Sequence, residues 1–405
     1  MKKNILFTSL FVAILFFFNA CNEKHAYKAL IVTGQNNHNW QASSPILKQL
    51  LDQTKLFTTN IIETPAQGKD MSVFNPDFAK YDVVVLDYNG DAWPEKTRVA
   101  FVDYVKNGGG VVVYHAADNA FVNWKEYNEM IGLGGWGDRT EKNGPYVYFK
   151  DGKQVCDSTP GRGGSHGARH EFTVQIRNTE HPITKGLPVK WLHAEDELYS
   201  QLRGPAKNME ILATAYADTA KGGTGRDEPM LSIISYGKGR IFHTTLGHCG
   251  NGDKTFPALE CAGFITTFQR GTEWAASGVV TQNIPVDFPN SAGTVQWAEY
   301  KPLSLDEIVS KIEKYDVSKS RKYLYDLQNR IRYAEGNAET LLSYEKLMVK
   351  ILESNEATID AKKFVLRELS WMGSDYCIPQ LKKLESSANL KDEVKFALTR
   401  IQSLK

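Results

Sequence analysis

"GGGVVVYHAADNAF", residues 108–121, joins a helix stop, a strand and a polar turn in one short stretch. Gly108, Gly109 and Gly110 end a helix over roughly 94–107 that starts at Pro94. The apolar run after them reads as a buried strand, with His115 and Asp118 at its carboxyl end. Upstream, "YKALIVTG" (27–34), "FTTNIIET" (57–64) and "YDVVVLDY" (81–88) read as three more strands. The four consecutive apolar residues of the third, Val83 to Leu86, fit a strand covered on both faces. Ser44 and Pro45 look like the cap and first residue of an intervening helix, "PILKQLLDQTK". Strands alternating with helices predict a mostly parallel, doubly wound α/β sheet.

Beyond residue 140 the pattern turns antiparallel. "GPYVYFKDGKQV" reads as a hairpin, and "HEFTVQI" and "EILATAYA" as strands. "MLSIISYGKGRIFHTTLGH" reads as two strands joined at Gly237-Lys238-Gly239, and 255–274 as helical. Several prolines and no clear period mark 277–303 as a linker. From Ser304, whose pairing with Glu307 forms a capping box, the pattern is all-helical to the end at 405. Leu305, Ile308, Val309 and Ile312 share a helix face, and further helices fit near 319–334, 338–353, 358–372, 375–386 and 391–403. "FVLRELSWMGSDYCIPQLKKL" (364–384) resembles a HEAT-type repeat, with a plain helical bundle as the alternative. The tail's expected role is to dock a protein partner.

At the other end, Lys2 and Lys3 precede an apolar run from Ile5 to Phe18, then Asn19, Ala20 and Cys21. The pattern reads as a secretory signal over 1–21. The position of Cys21 resembles a bacterial lipobox, so lipidation there would hold the α/β domain, 22–276, at a membrane surface. The expected location is the cell envelope, periplasmic or at the outer-membrane surface. A net charge of +1 gives no basic footprint for a nucleic acid. Cys156, Cys249, Cys261 and Cys377 lack the short spacing of zinc or redox motifs.

In a doubly wound sheet, ligands bind beyond the carboxyl ends of the strands. His38 and Trp40 in "NNHNW", the Asp87-Tyr88-Asn89 stretch, His115 with Asp118, and His248 all fall there. His115 leads this group; His243 lies inside a strand and reads as structural. "WLHAEDELYSQL" (191–202) packs His193, Glu195, Asp196, Glu197 and Tyr199 among residues that want burial, so its carboxylates are candidates for general-base work. "SHGARHEF" (165–172) spaces His166 and His170 like a zinc helix, but the surrounding glycines argue for a loop. Metal binding, substrate contact and a structural role all remain open for that loop. A divalent metal such as zinc would take His115, His248 or Glu197 to complete its shell. Trp40, Trp124, Trp136, Tyr146 and Tyr199 flank the same loops and suit a sugar. "GLGG" at 132–135 is not a dinucleotide fingerprint, because no strand and helix bracket it as that motif requires.

"GGGVVVYHAADNAF", "HEFTVQIRNTEHPITKGLP", "HAEDELYSQL", "EILATA" and "YGKGRIFHTTLGH", in this order, resemble a ThuA-like domain over about 27–275. The resemblance implies a flavodoxin-like fold related to class I glutamine amidotransferases. It also implies a link to sugar catabolism, through sugars oxidised to 3-keto forms. In the amidotransferase relatives a nucleophilic cysteine follows the strand matching "VVVY". Here His115 takes that place, which argues against thiol chemistry. The expected function is an enzyme acting on keto-sugars or 3-keto-glycosides by isomerisation or elimination through an enediolate. Asp196 or Glu197 would be the base, with His115 and His248 polarising the carbonyl or holding a metal. His38, Trp40, Asp118, Trp136, His166, His170, His193 and Tyr199 are the expected substrate contacts. A non-catalytic carbohydrate-binding lipoprotein or a scaffold is the alternative.

Overall fold

The structure is a computed structural model that describes residues 26–285, 288–297, 305–319 and 338–403, together with 321, 323–324, 327–328, 331 and 334. The leader, Cys21, Ser304 and much of the expected helix at 319–334 lie outside the described residues. In the first half, β1 (Tyr27–Thr33), α1 (Trp40–Asp52), β2 (Phe57–Glu63), β3 (Val83–Leu86), α2 (Glu95–Lys106), β4 (Gly110–Tyr114) and α3 (Lys125–Ile131) alternate. Then follow β5 (Tyr146–Lys150), β6 (Lys153–Asp157), β7 (Ser165–His166), β8 (His170–Ile176), β9 (Lys190–Asp196) and β10 (Tyr199–Ser200). β11 (Met209–Tyr216), β12 (Asp227–Tyr236), β13 (Gly239–Thr244), α4 (Pro257–Glu260) and α5 (Ala262–Ser277) complete the domain.

The main sheet runs β2-β1-β3-β4-β13-β12-β11-β8-β9, with the β5–β6 hairpin joined to β12. From β2 to β13 neighbours are parallel; from β13 to β9 they are antiparallel. This is the flavodoxin-like α/β fold with added antiparallel strands. The all-apolar strands explain its two-sided cover. Val83, Val85, Val112 and Tyr114 pack on one face with Leu47, Leu50 and Phe268, from α1 and α5. Val84, Leu86, Val111 and Val113 pack on the other with Phe101, Val105 and Tyr127, from α2 and α3. A period of two sends alternate residues of each strand into separate cores.

Two expectations need correction. Helix α1 begins at Trp40, not Pro45, because Asn39 caps it by accepting from the Ala42 amide. Ser43 and Ser44 then lie inside the helix and donate to the buried Asp87 carboxylate at 2.6 and 2.7 Å. Pro45 is held within the helix at the loss of one backbone hydrogen bond. The expected linker is also not free. Among its described residues, Val280, Ile284, Phe288 and Trp297 pack on the α/β core. Val295 accepts from Ala262, Asn290 from Leu192, and Glu260 from Trp297, all through backbone groups. The strap therefore reaches at least Trp297.

Beyond it, α6 (Leu305–Glu313), α7 (Ala338–Glu353), α8 (Ile359–Met372), α9 (Ile378–Lys383) and α10 (Lys391–Ser403) form a helical region around Ile308, Ile312, Met348, Leu369 and Val394. Among the described residues no helix is long and apolar enough to cross a membrane. All four cysteines of the described part are unpaired.

A chain truncated after Trp297 should keep the α/β melting transition. One truncated after Phe288 loses the Val295 and Trp297 hydrogen bonds and should be less stable by about 1–3 kcal/mol, read by denaturant unfolding. A second expectation concerns Glu228 on β12, buried and bonded to Thr224 and the Gln201 amide. Burial pushes its carboxyl up to about 7. The folded state then holds the proton more tightly than the unfolded state. Stability is therefore lost as pH rises from about the unfolded carboxyl value through 7. E228Q should gain stability relative to wild type between pH 5 and pH 8, by up to about 3 kcal/mol. Equal differences at both pH values in urea titrations would contradict this.

Candidate active site

The carboxyl ends of the parallel strands carry the polar loops. His38 follows β1, Asn89 follows β3, His115 follows β4, and His248 follows β13. His115 opens a turn of 3-10 helix at φ +43° while almost fully buried. A left-handed conformation at a buried non-glycine residue costs about 1–3 kcal/mol and is kept where the surroundings enforce it. Here the enforcing contacts include His115 Nδ1 to the Thr245 carbonyl at 2.6 Å. Gly247, at φ +102°, lets the β13 loop close down: a Cβ there would lie 2.7 Å from the Phe264 ring and 2.8 Å from that of Tyr114. The Tyr114 hydroxyl donates to the Gly247 carbonyl.

Glu197 reaches this group from the opposite end of the sheet. β9 is separated from β13 by β12, β11 and β8. Yet Asp196, its last residue, accepts from the Gly247 amide at 2.8 Å and the His248 amide at 3.0 Å. It also accepts from the Glu197 amide at 2.7 Å and contacts His193 Nε2 at 2.8 Å. The antiparallel half thus folds over the strand ends of the parallel half. Asp196 is fully buried. Burial pushes its carboxyl up, but His193, the His115 charge and the Gly247 amide outweigh this and hold it low. His193, also buried, is raised to about 10 against the effect of burial by Cys261 and Asp196. Asp196 therefore positions Glu197 and His248 and does not face a substrate, which corrects its reading as a base.

Three imidazoles surround one oxygen of Glu197. Oε2 lies 3.1 Å from His248 Nδ1, 3.6 Å from His38 Nε2 and 3.8 Å from His115 Nε2. His166 Nε2 approaches the other oxygen at 3.8 Å. Burial acts to raise the Glu197 carboxyl, but the imidazoles hold it well below the usual carboxylate range. Glu197 is thus a fixed anion and a poor proton acceptor. Burial pushes His38 down to about 4, so it is a neutral imidazole. Burial acts downward on His115 too, yet the Glu197 and Asp196 carboxylates raise it on balance.

A half-open cavity of about 320 Å³ lies over this cluster, lined by Asn37, His38, Asn89, Asn119, Trp136, Gly137, His166, Glu197 and Tyr199. The Tyr199 ring sits 4.3 Å from that of His115, and Trp136 meets Tyr199 edge-on at 4.6 Å. His38, Trp136, His166 and Tyr199 therefore fall where the sequence indicated. Four others do not line the cavity. Asp118 is fully buried, with His243 3.5 Å away. His193 is buried behind Asp196. Trp40 opens α1. His170 bonds the Ala168 carbonyl and packs against Phe172. Asn37 and Asn119 escaped the sequence reading. Their only signal was position, just beyond the ends of β1 and β4.

A family model described as trehalose utilisation, ThuA, matches residues 28–275. A crystal structure of a ThuA-like protein from Parabacteroides merdae is similar to this chain at 53% identity and a TM-score of 0.67, covering 69% of this chain and 100% of its own. A ThuA-like protein from Bacteroides uniformis is similar at 21% identity and a TM-score of 0.41, covering 63% of this chain and 94% of its own. No curated protein matches.

Replacing Asp196 with alanine should strand the buried His193 cation and the amides of Gly247 and His248. Breaking such a buried pair costs about 3–5 kcal/mol. Urea unfolding of D196A should show a loss of that size, and a change below about 1 kcal/mol would mean that Asp196 is not the tie described.

Proposed function

Because the chain belongs to the ThuA family, a family linked to trehalose utilisation and so to carbohydrate metabolism, we propose that its cavity is the active site of an enzyme acting on 3-keto-sugars or their glycosides. The observation that carries this reading is the composition of the cavity wall. Amides of Asn37, Asn89 and Asn119 and the rings of Trp136 and Tyr199 face a cluster of imidazoles around one ionised carboxylate. Aromatic faces and amides suit a sugar's apolar ring face and hydroxyls, while the imidazole cluster suits an oxygen that gains negative charge.

A 3-keto group acidifies the proton on C2. Since Glu197 is held ionised as a weak base, the proton goes to His166. Its Nδ1 contacts the Gly167 carbonyl at 2.8 Å, which assigns the proton to Nδ1 and leaves Nε2 able to accept. His166 is also the most open imidazole at the cavity, with its side chain 38% exposed. The C2–H electrons move into the carbonyl, giving an enediolate whose oxygen rests against the His38, His115 and His248 end. Expulsion of the C1 substituent, which leaves with the proton held by His166, yields an unsaturated keto-sugar for hydration; return of that proton to C3, while the C2 hydroxyl proton moves to the C3 oxygen, gives the 2-keto isomer instead.

The reading includes the leader and the tail. Lipidation of Cys21 would hold the catalytic domain at the bacterial cell envelope, periplasmic or at the outer-membrane surface, and the helical tail, read as HEAT-like, would dock a protein partner. The leader and lipobox pattern at 1–21 supports the first, and a helical region built on its own apolar cluster supports the second.

A panel of 3-keto-glycosides and their unoxidised parents tests the reading. Wild type should turn over keto substrates alone. H166A should lose about 10²–10⁴-fold in kcat with little change in KM. Saturable binding without turnover across the panel would make the protein a carbohydrate-binding module instead.

A further inference from the structure

The imidazoles around Glu197 are poorly explained as hydrogen-bond partners. His38 and His115 lie 3.6 and 3.8 Å from Oε2, beyond hydrogen-bond reach. His115 Nε2 and His248 Nδ1 are buried atoms without a hydrogen-bond partner. A buried polar atom left unpaired costs about 1–3 kcal/mol, and here two such atoms converge on the same point. The four ligand-type atoms of His38, His115, His248 and Glu197 all lie within 4.8 Å of one another. An ion held at about 2.0–2.1 Å by nitrogen and oxygen in a tetrahedron separates its ligands by roughly 3.3 Å. The three separations from Oε2, 3.1 to 3.8 Å, bracket that edge.

We propose that His38, His115, His248 and Glu197 hold one divalent transition-metal ion of the zinc type. The outer contacts support it. In two of the three histidines the ring nitrogen that faces away from Glu197 meets an acceptor: His115 Nδ1 the Thr245 carbonyl at 2.6 Å and His38 Nδ1 the Asn37 amide oxygen at 3.1 Å. This arrangement places the proton on the outer nitrogen and turns the lone pair inward, as in metal-bound histidines. Three imidazoles and one carboxylate select borderline first-row ions over calcium and magnesium, which prefer all-oxygen shells. His38 and Glu197 also line the cavity, so an outside ligand would approach from that side as a fifth donor. His166, near Oε1, stands outside the set and stays available as a base. The site rests on this geometry and not on the identity of the substrate.

The test uses the full chain, purified without a polyhistidine tag, stripped with chelator and reloaded with zinc or cobalt(II). One equivalent per chain is expected, with a visible cobalt spectrum of low coordination number and a higher melting temperature on loading. H38A, H248A and E197Q, each checked for folding by circular dichroism, should lose more than about 100-fold in zinc affinity, beyond the ~10–100-fold typical of outer-shell changes. H170A, whose ring bonds Ala168 outside the cluster, should bind as wild type does. A folded, stripped chain that takes up no stoichiometric ion overturns the proposal. So does affinity that falls as far in H170A as in H248A. A loaded chain that turns over no keto-sugar would refute the substrate reading while leaving the metal site intact.

Discussion

The carboxylate of Asp196 ties the molecule together. It takes three backbone amides and one imidazole, and those donors belong to the end of β9 and to the loop after β13. No run of adjacent strands brings these ends together; the sheet order separates them by three strands. Burying an unpaired carboxylate would be prohibitive, and His193 supplies the compensating charge from the same strand. With this tie in place, Glu197 and His248 meet His115 and His38. Without it, the sheet has no reason to curl over its own strand ends, and the cavity has no floor.

The parallel half was the easiest part to read from sequence. Runs such as "VVVL" and "GVVVY" have one physical solution, a strand covered on both sides, and the helices between them follow. Strand-tip logic then found His115 and His248. β9 was harder. "KWLHAED" alternates buried and more open positions, but two of its buried residues are a histidine and an aspartate, so from sequence its carboxylates read as general-base candidates and not as a buried tie. Only tertiary structure reveals that His193 and Asp196 neutralise one another. The start of α1 was missed for a similar reason. Pro45 looked like a first residue, while the true cap, Asn39, is followed by serines whose hydroxyls serve Asp87. In "SHGARHEF" the two histidines part company: β7 pairs with β10 and carries His166 to the cavity, while His170 turns to its own backbone. Spacing alone gives no basis for that division.

The turn after β4 joins strain to chemistry. His115 is held in a conformation that a free chain avoids, with one nitrogen tied to Thr245 and one left facing Glu197. Tyr199 covers the ring, and Trp136 covers Tyr199. The aromatic layer excludes water from one side of the cluster and so raises the effect of each charge within it. A thiol at this elbow would be a nucleophile; an imidazole there is an acceptor or a ligand.

The curl of the antiparallel half also bears on how the chain folds. His115 and Thr245 are 130 residues apart, and Asp196 and His248 are 52 apart. Contacts at such separations close large loops before they return any stabilisation, so they form slowly. The helical tail is built mainly from neighbours in sequence and has no comparable delay. On a ribosome, His38 and His115 would leave the exit tunnel well before Glu197 and His248 exist to meet them. During that interval two buried-type imidazoles stand in water, in a half-sheet whose edge at β4 awaits β13. Completion of the cavity therefore coincides with closure of that edge, and a nascent chain that holds the cluster has already passed its aggregation-prone stage.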